Sequence, residues 1–469
     1  MRRKTLIKYV LTDFVSANAA WLIFNIVRYF LVARSEGFTT LSGFLEYVHV
    51  LKGQVIIPMG WLVLHYYSGY YNTPLVKSRI SEFFTTAFCV LLGSVIVFFG
   101  IVLNHLPESE VIYYQQFTSL FLITFVCTYF PRLIITNASL KKISAGEWSI
   151  RALLLGTGER AFQTWQMLMK PSGEMSYNVA GFIKTDDKES VNEQINVLGS
   201  IDDLENLIKE TGAEELIVST EADNDEEFFR LIYSLYRYKL PVKLPLSYTN
   251  ILMRGMKIRA ITGVPLIDIT NNNFSEAGKN IKLTLDKITS FLVLLLFSPL
   301  YLFLAAKVKR DSEGPVFVSQ ERIGLQGKPF MMYKFRTMRA DAEREGPSLS
   351  SENDPRITRF GTTMRKYRLD ELPQFWNVLK GDMSLVGPRP ERKYYIDQIV
   401  KIAPEYCLLH NVRPGISSLG MVKFGYARNV EEMTERMQYD ILYYENMSLM
   451  LDLKILIYSM RTIWTGKGI

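Results

Sequence analysis

Four apolar segments, each close in length to a membrane-spanning helix, occupy the first third of the chain. Crossing the hydrocarbon core of a bilayer takes about 20 residues of helix. A helix of that length that is apolar all round has no side suited to water, so it is typical of a membrane span. The sequence therefore predicts a four-helix transmembrane unit within residues 1–140. Its apolar segments are residues 10–32, 55–71, 83–103 and 117–135.

The charges in the short connections predict which way this unit faces. Basic residues crowd the start of the chain at residues 2–4 and follow the fourth segment at Lys141 and Lys142. The connection between the third and fourth segments carries acidic residues and no Lys or Arg. Because cytoplasmic loops are enriched in Lys and Arg, both ends of the four-helix unit are predicted to face the cytoplasm.

Two charged residues, Asp13 and Arg28, lie inside the first apolar segment. A charge within a membrane span is a candidate functional site, because an unpaired charge in hydrocarbon is costly. Both residues lie near the ends of the segment, however, where a charged side chain can extend to the membrane surface. The sequence favours this helix-end placement over a functional pair.

Residues 141–270 have the alternating pattern of an α/β domain. A short apolar strand leads directly into Gly156, Gly158 and Ala161, which form a G-x-G-x-x-A turn before a helical pattern. This turn resembles the phosphate-binding turn of a Rossmann-like dinucleotide-binding domain. The acidic residue expected after the second strand is replaced by Lys184, so nucleotide binding and a purely structural or regulatory role both stay open. Further strands, which favour a parallel sheet, are predicted at residues 179–183, 215–219 and 242–244.

A fifth apolar segment, residues 288–306, has Lys and Arg on both sides. Both flanks favour the cytoplasmic side, which a single crossing cannot satisfy. Ser298 and Pro299 interrupt the segment, and a proline inside a helix removes a hydrogen bond and bends the helix. We therefore predict a re-entrant helix over about residues 281–306 that enters the membrane and returns. An ordinary fifth span with a proline kink is the alternative.

Residues 271–469 are predicted to form a mainly α-helical (α/β) catalytic domain with basic stretches. Residues 307–339 contain eight basic and three acidic side chains, and residues 356–368 contain five basic and no acidic ones. Such a surface suits phosphate groups. Nucleic acid is not the predicted partner, because no helix-turn-helix, zinc-finger or stacking-aromatic motif accompanies the charge. The three cysteines and four histidines are scattered, which argues against a zinc site.

Two adjacent carboxylates, Asp370 and Glu371, follow the second basic stretch and precede Pro373. Neighbouring side chains on a helix point about 100° apart, so the two carboxylates are predicted to have different tasks. One can attack or accept a proton while the other binds a hard cation such as Mg2+ together with substrate phosphates. An Asp-Glu pair alone is usually surface charge, so the surrounding motifs decide its importance.

A specific series of motifs surrounds these carboxylates: FRTM at 335–338, LDELPQ at 369–374, NVLKGDMSLVGPRP at 377–390 and RPG at 413–415. The series closely resembles the bacterial sugar transferase family, the monotopic phosphoglycosyl transferases, over about residues 279–468. The four-helix unit and the Rossmann-like domain in front look like those of the large, polyprenyl glycosylphosphotransferase form. One departure follows the RPG motif, where residues 416–426 read ISSLGMVKFGY in place of the common Ile-Thr-Gly pattern.

The resemblance implies a role for each part of the site. Asp370 would be the nucleophile that attacks the β-phosphorus of a nucleotide diphosphate sugar, and Glu371 would help to hold Mg2+. Undecaprenyl or another polyprenyl phosphate would then take the hexose-1-phosphate from the aspartyl ester. UDP-glucose and UDP-galactose are the expected donors. The residues expected to bind substrate phosphates, with a structural ion pair as the alternative for each arginine, are Lys334, Arg336, Arg389 and Arg413.

The resemblance also implies a cellular setting. The expected enzyme is a multi-pass protein of the bacterial inner membrane whose catalytic domain lies on the cytoplasmic face, in contact with lipid. It would start capsule, exopolysaccharide or O-antigen synthesis, and four spans without an assigned catalytic task would suit self-association into a homo-oligomer.

Three other functions are alternatives to this enzyme. A transporter is disfavoured because it would need polar, paired residues inside its spans, and these four spans contain few. A non-catalytic scaffold of polysaccharide machinery is disfavoured by the intact Asp370-Glu371 pair. A nucleotide-sugar dehydratase or epimerase is disfavoured because its chemistry needs a Tyr-x-x-x-Lys pair, and the sequence contains none.

Overall fold

The structure is a computed structural model that describes residues 2–34, 37–72, 79–102, 110–169, 176–186, 191, 193–220, 225–245, 266–270, 272, 274–339, 342 and 354–464. In chain order, these residues form a bundle of long helices, a six-stranded sheet with flanking helices, and a mainly helical region with two short sheets. The long apolar helices and the parallel sheet confirm the predicted fold class at this level.

The four predicted apolar segments are helices that are long and apolar enough to cross a membrane. Their bounds, with one short helix in the first connection, are α1 Arg2–Arg28, α2 Leu41–Leu45, α3 Val48–Tyr67, α4 Arg79–Val102 and α5 Glu110–Ser144. A single π-helical turn, Tyr29–Ala33, extends α1. Many Leu, Ile, Val and Phe side chains on the outside of the bundle are exposed, which suits contact with lipid chains.

A buried ion pair connects α1 with α5. Arg132 donates from Nε to Asp13 Oδ1 over 2.7 Å and from Nη2 to Asp13 Oδ2 over 2.6 Å. The third guanidinium nitrogen donates to Thr86 Oγ1 over 2.9 Å, and the Tyr71 hydroxyl donates to Asp13 Oδ2 over 2.8 Å. The predicted helix-end placement of Asp13 is therefore wrong, because Asp13 is buried and the guanidinium and hydroxyl replace its contacts with water.

A second buried carboxylate, Glu82, lies in the same layer of the bundle. The hydroxyls of Tyr70 and Thr136 both donate to it. Arg28, the other charged residue of the first segment, instead faces the Phe44 ring, with 5.9 Å from Cζ to the ring centroid. The bundle thus contains a layer of buried polar side chains that form hydrogen bonds with one another.

A six-stranded sheet follows α5. Its strands and helices are β1 Ile150–Leu155, α6 Glu159–Met169, β2 Tyr177–Lys184, β3 Val197–Ser200, α7 Leu204–Thr211, β4 Glu215–Val218, α8 Asp225–Leu235, β5 Val242–Pro245 and β6 Leu266–Asp268. The strand order is β3-β2-β1-β4-β5-β6; the first five strands are parallel, and β6 is antiparallel to β5. Parallel neighbours need crossover connections, which the helices provide, as the alternating pattern predicted.

The fifth apolar segment is a bent pair of helices, α9 Glu276–Leu296 and α10 Ser298–Asp311. Their axes meet at an angle of 64°. Pro299 has no backbone N–H to continue α9, and it suits the first turn of α10, where that donor is not needed. The Ser298 hydroxyl donates to a carbonyl near the end of α9 over 2.8 Å. The break therefore lies at the predicted Ser298-Pro299 position.

The start of α9 packs against the turn that follows α3. Asn280 Nδ2 donates to the Tyr66 carbonyl over 2.6 Å, and Asn72 Nδ2 donates to Glu276 Oε2 over 2.8 Å. Gly69 lies in this turn with a φ of +76°. These contacts join the transmembrane bundle directly to the bent helix pair.

The remaining elements form the C-terminal region. They are β7 Phe317–Ile323, β8 Pro329–Phe335, α11 Arg359–Lys366, α12 Gln374–Lys380, β9 Ser384–Val386, α13 Lys393–Ile402, β10 Gly415–Ser417, α14 Leu419–Lys423, α15 Val430–Glu445 and α16 Leu449–Trp464. Strands β7 and β8 form an antiparallel hairpin, and β9 and β10 pair in parallel. Asn377 fixes α12 to β8, because its Nδ2 donates to the Met331 carbonyl and its Oδ1 accepts from the Tyr333 N–H.

The sheet and the C-terminal region share one hydrophobic core. Buried side chains of the sheet, such as Leu216 and Leu244, belong to the same cluster as Ile399 of α13 and Leu408 of the 3-10 segment Pro404–Asn411. The two regions therefore pack against each other through apolar side chains.

Candidate active site

Asp370 and Glu371 lie on a single 3-10 turn between α11 and α12. Arg368, just before this turn, has a left-handed backbone with φ 52°, which ends the preceding helical path and redirects the chain. Both carboxylates are buried, with 7% and 6% of their surface exposed. A charged pair is rarely buried without partners, so its surroundings determine what it can do.

The bent helix pair packs against this turn. Leu304 of α10 packs in one apolar cluster with Phe335 of β8 and with Leu372, which follows Glu371. The Tyr301 hydroxyl of α10 donates to the Leu372 carbonyl over 2.6 Å. The position of the carboxylate pair is therefore tied to the helix pair that the sequence predicts to enter the membrane.

Glu371 is surrounded by three cations. Lys334 Nζ lies 3.1 Å from Glu371 Oε1, Arg368 Nη1 lies 3.5 Å from Oε2, and Arg389 Nη2 lies 3.9 Å from Oε1. Burial raises the pKa of Glu371, but these cations outweigh burial and lower the pKa to about 2. Glu371 is therefore ionised at any physiological pH, and positive charge remains in excess around it.

Asp370 has the opposite shift. Burial raises the pKa of Asp370, Lys334 lowers it, and the neighbouring Glu371 charge raises it again, to a value of about 6. Such a carboxylate is ionised near neutral pH and is more basic than an ordinary aspartate. The two neighbours thus differ in charge behaviour, and their predicted difference in task stays a prediction.

Two of the four predicted phosphate-binding residues, Lys334 and Arg389, reach the carboxylate pair. Lys334 is on β8, which Asn377 holds against α12, so its ammonium reaches Glu371 from the neighbouring strand. Arg389 is held between Pro388 and Pro390, and its backbone N–H donates to Asp440 Oδ2 over 3.3 Å. Two restricted neighbours and a backbone hydrogen bond fix the direction of its side chain.

The other two predicted residues make backbone contacts instead. Arg336 donates from Nη2 to the Ser312 carbonyl over 2.6 Å, just beyond the end of α10. Arg413 donates from Nε to the Gly381 carbonyl over 2.9 Å. In the part of the chain that the structure describes, neither forms an ion pair with Asp370 or Glu371.

Two residues of the site were not predicted. Arg368 contacts Glu371, and the Tyr426 ring lies against the guanidiniums of both Arg368 and Arg389. The position of Arg368 two residues before Asp370 was a signal for the first. Tyr426 belongs to the stretch that follows the RPG motif, and only the tertiary fold brings it to the carboxylates.

Magnesium binding at this site stays a prediction, with Glu371 as the one carboxylate ligand. Across the described residues, no three His, Cys, Asp or Glu side chains are grouped as a metal site. Mg2+ does not require such a group, since it commonly binds one or two carboxylates and completes its shell with water and substrate phosphates. The ionised Glu371 is a ligand of the right type.

The glycine turn after β1 has a structural explanation. Gly156 has a φ of +123°, and a Cβ there would lie 2.4 Å from the Ser219 carbonyl oxygen, so close approach of the chain after β4 requires glycine. The Gly158 carbonyl accepts an N–H of α6, and Ala161 is fully buried. Glu159 places a negative charge in the first turn of α6, where it would oppose a phosphate. Nucleotide binding by this turn stays a prediction.

Two sequence families match the chain. The bacterial sugar transferase family matches residues 277–466, which contain the bent helix pair and the carboxylate site. A CoA-binding domain family matches residues 67–244, from the end of α3 to β5. The fold and the site thus define a membrane protein with a buried carboxylate pair flanked by cations. The chain belongs to the bacterial sugar transferase family.

Three curated relatives illustrate the similarity. A UDP-N-acetylgalactosamine-undecaprenyl-phosphate N-acetylgalactosaminephosphotransferase of Aeromonas hydrophila is 44% identical over 40% of this chain and 44% of its own length. A UDP-glucose:undecaprenyl-phosphate glucose-1-phosphate transferase of Caulobacter vibrioides is 39% identical over 39% of this chain and 70% of its own. An undecaprenyl-phosphate galactose phosphotransferase of Salmonella typhimurium is 29% identical over 90% of this chain and 87% of its own. Across the Aeromonas protein and three glucose-1-phosphate transferases, the matched part spans 43 to 60% of the relatives' length.

Proposed function

We propose that this protein transfers a hexose-1-phosphate from a nucleotide diphosphate sugar to polyprenyl phosphate. The observation that carries the proposal is the arrangement of charges around the carboxylate pair, Asp370 and Glu371 (the dyad). Lys334, Arg368 and Arg389 surround the ionised Glu371, which is the immediate neighbour of Asp370, the more basic carboxylate. A surplus of fixed positive charge next to a buried nucleophile is what transfer between two anionic substrates requires. The names of the relatives agree with this reaction class.

The reaction proceeds in two displacements at one phosphorus atom. A carboxylate oxygen of Asp370 bonds to the β-phosphorus, and the bond from that phosphorus to the nucleoside monophosphate oxygen breaks, with its electron pair leaving on the nucleotide. An oxygen of polyprenyl phosphate then bonds to the same phosphorus, and the bond to Asp370 breaks, which restores the carboxylate. Two mutually repelling anionic substrates therefore never need to react directly with each other.

The surrounding cations stabilise the charge that develops during both steps. Lys334, Arg368 and Arg389 are held before substrate binds, so no reorganisation is needed at the moment of reaction. Glu371 would hold Mg2+, which supplies further positive charge to the diphosphate when it is bound. Arg336 and Arg413 support the site through their backbone contacts.

We further propose that the bent helix pair is re-entrant, which places the site at the cytoplasmic face of the bacterial inner membrane. Basic residues flank both ends of the pair, and a 64° bend separates its arms. The apolar side chains around the bend are each at least 45% exposed, as lipid contact requires: Phe291, Leu292, Leu295, Leu296, Leu302 and Phe303. A polyprenyl phosphate with its headgroup at the membrane surface would meet Asp370 there, and its product would start a surface glycan.

Glucose, galactose and N-acetylgalactosamine are the candidate sugars of the donor. The sequence predicts UDP-glucose or UDP-galactose, and the 44% identical relative of Aeromonas hydrophila is named for the N-acetylated sugar. The departure at residues 416–426 lies beside the dyad through Tyr426, so this stretch could distinguish the present chain from those relatives.

Release of nucleoside monophosphate tests the proposal. The full chain in lipid nanodiscs is given polyprenyl phosphate, Mg2+ and each of the three UDP-sugars in turn. We expect release with one donor, and its loss in Asp370→Asn and after chelation of the metal. Trapping of a radiolabelled sugar phosphate on the wild-type protein, in the absence of polyprenyl phosphate, tests the covalent step. Release that persists in Asp370→Asn would exclude Asp370 as the nucleophile, and no release with any donor would exclude the reaction.

A further inference from the structure

The Tyr426 ring contacts two guanidinium groups of the site. Cζ of Arg368 and Cζ of Arg389 are each 5.3 Å from the ring centroid. The same two arginines approach opposite oxygens of Glu371, at 3.5 Å and 3.9 Å. Both arginines thus approach one aromatic ring and one carboxylate, which offset the repulsion between the two like charges.

Arg368 and Arg389 share two contacts among the described residues: the Glu371 carboxylate and the Tyr426 ring. Arg368 Nε is buried and has no hydrogen-bond partner among the described residues. Arg389 is 3.9 Å from Glu371 and 4.0 Å from Glu391, both longer than a hydrogen bond. An aromatic face attracts a guanidinium electrostatically, so Tyr426 contributes to fixing both side chains.

The backbone before Tyr426 is built to bring the ring to this place. Gly425 has a φ of +93°, a conformation that a residue with a side chain rarely adopts, in the loop between α14 and α15. The Tyr426 hydroxyl has no hydrogen bond within the described part of the chain, so the ring makes the contacts. The side chain is 37% exposed, which leaves part of it open to a bound substrate.

We propose that Tyr426 is a positioning residue for the donor. Its ring holds the guanidiniums of Arg368 and Arg389 apart and beside Glu371, so that both can contact the diphosphate of the nucleotide sugar. The inference rests on the proposed function, since it assumes that a diphosphate binds at the dyad. It assigns a task to the stretch at residues 416–426, where the sequence departs from the family pattern.

Binding of UDP, a diphosphate that is not turned over, tests the inference separately from catalysis. Calorimetry on the full chain in nanodiscs compares wild type, Tyr426→Phe and Tyr426→Leu. We expect about tenfold weaker binding for Tyr426→Leu, because two cation–π contacts are lost, and a change of less than about twofold for Tyr426→Phe, which keeps the ring. Tyr394→Leu, an exposed tyrosine on α13, is the control and should bind UDP as the wild type does.

Kinetics distinguish positioning from a general structural role. With an active donor, Tyr426→Leu should raise the KM for the UDP-sugar about tenfold, with a smaller change in kcat and an unchanged KM for polyprenyl phosphate. Equal losses towards both substrates together with a lower unfolding temperature would contradict the inference. Wild-type binding by Tyr426→Leu, or an equal loss in Tyr426→Phe, would also overturn it.

The two proposals fail in different ways. Absence of nucleotide release by the wild type would reject the proposed function, and the UDP measurements would still decide the role of Tyr426. Absence of UDP binding to the wild type would reject both, because no diphosphate would then be held by these arginines.

Discussion

At the scale of single residues, Asp370 and Glu371 are neighbours whose pKa values move in opposite directions. Burial acts on both, and the cations around Glu371 reverse its effect on that side chain alone. The proposed roles of Asp370 as nucleophile and Glu371 as metal ligand are compatible with this difference. The raised pKa of Asp370 should also make the activity depend on pH, and substitutions that change this pKa should shift the pH dependence.

The acid limb of the pH–rate profile should report the raised pKa of Asp370. As pH falls through this value, the nucleophile becomes protonated and activity is lost. Lys334 lowers the pKa of Asp370, so Lys334→Met should raise that pKa further and move the acid limb of kcat to higher pH. Profiles of nucleotide release measure the shift. Lys393→Met removes an exposed lysine that pairs with Asp397 and should leave the limb in place; an unmoved limb in Lys334→Met would contradict the coupling.

The sequence predicted those residues of the site whose positions depend on local motifs. The dyad, Lys334 and Arg389 lie in motifs or rigid segments, and they meet in the structure. Arg336 does not join them, because β8 ends at Phe335 and the chain then turns towards the end of α10. Tyr426 is 55 residues from Glu371 in the sequence, and no local pattern indicates that the two are adjacent.

At the scale of elements, Asn377 shows how α12 and β8 keep Lys334 and Glu371 together. Its side chain is fully buried and satisfies two backbone groups of β8, the Met331 carbonyl and the Tyr333 N–H. The sequence places this residue in a motif but cannot show that it bridges a helix and a strand.

Asn377→Leu should therefore destabilise the protein and reduce its activity. The substitution leaves the Met331 carbonyl and the Tyr333 N–H, both partly buried, without these partners, which costs about 2 kcal/mol in the free energy of unfolding. Denaturant unfolding in micelles, together with nucleotide release, measures both effects. Asn446→Ala is a matched control, because that amide is exposed and bonds only within its own helix end, so its effect should stay below about 0.5 kcal/mol. Similar losses in both variants would argue against the bridge.

The polar layer of the transmembrane bundle gives a second prediction for elements. Arg132→Met leaves Asp13 buried without its partner and should lower the free energy of unfolding by about 3 to 5 kcal/mol. The double variant Asp13→Leu with Arg132→Met removes both charges and should recover a large part of that loss. A double-mutant cycle of unfolding in micelles measures the coupling. Arg28→Met, at the other end of α1, should have a small effect; additive losses at Asp13 and Arg132 would contradict the pairing.

This layer also shows a limit of sequence analysis. Asp13 and Arg132 are 119 positions apart, and a composition-based view of each helix treats them separately. The bent helix pair was more predictable, since its flanking charges and Pro299 are all local features. Hydrophobic length predicts that helices exist, and only packing shows which faces meet.

At the scale of the whole molecule, the turn after α3 joins the transmembrane bundle to the bent helix pair. Gly69 has a positive φ, and a Cβ at this position would lie 2.7 Å from the backbone nitrogen of Ala277. Gly69→Ala should therefore separate the turn from α9, with a loss of about 1 to 3 kcal/mol and reduced activity. Thermal unfolding in nanodiscs and nucleotide release measure this. Gly60→Ala, in open space on α3, should be neutral, and a neutral Gly69→Ala would show that the junction is not tightly packed.

The core shared by the sheet and the C-terminal region limits which parts of this protein can be exchanged with those of a relative. The match to the Caulobacter vibrioides relative involves 39% of this chain and 70% of that protein, so catalytic regions of this type occur with different amounts of chain around them. In the present chain, Leu408 and Ile399 are covered by side chains of the sheet. A chimera that exchanges only the C-terminal half between relatives would join unmatched apolar surfaces and would tend to aggregate.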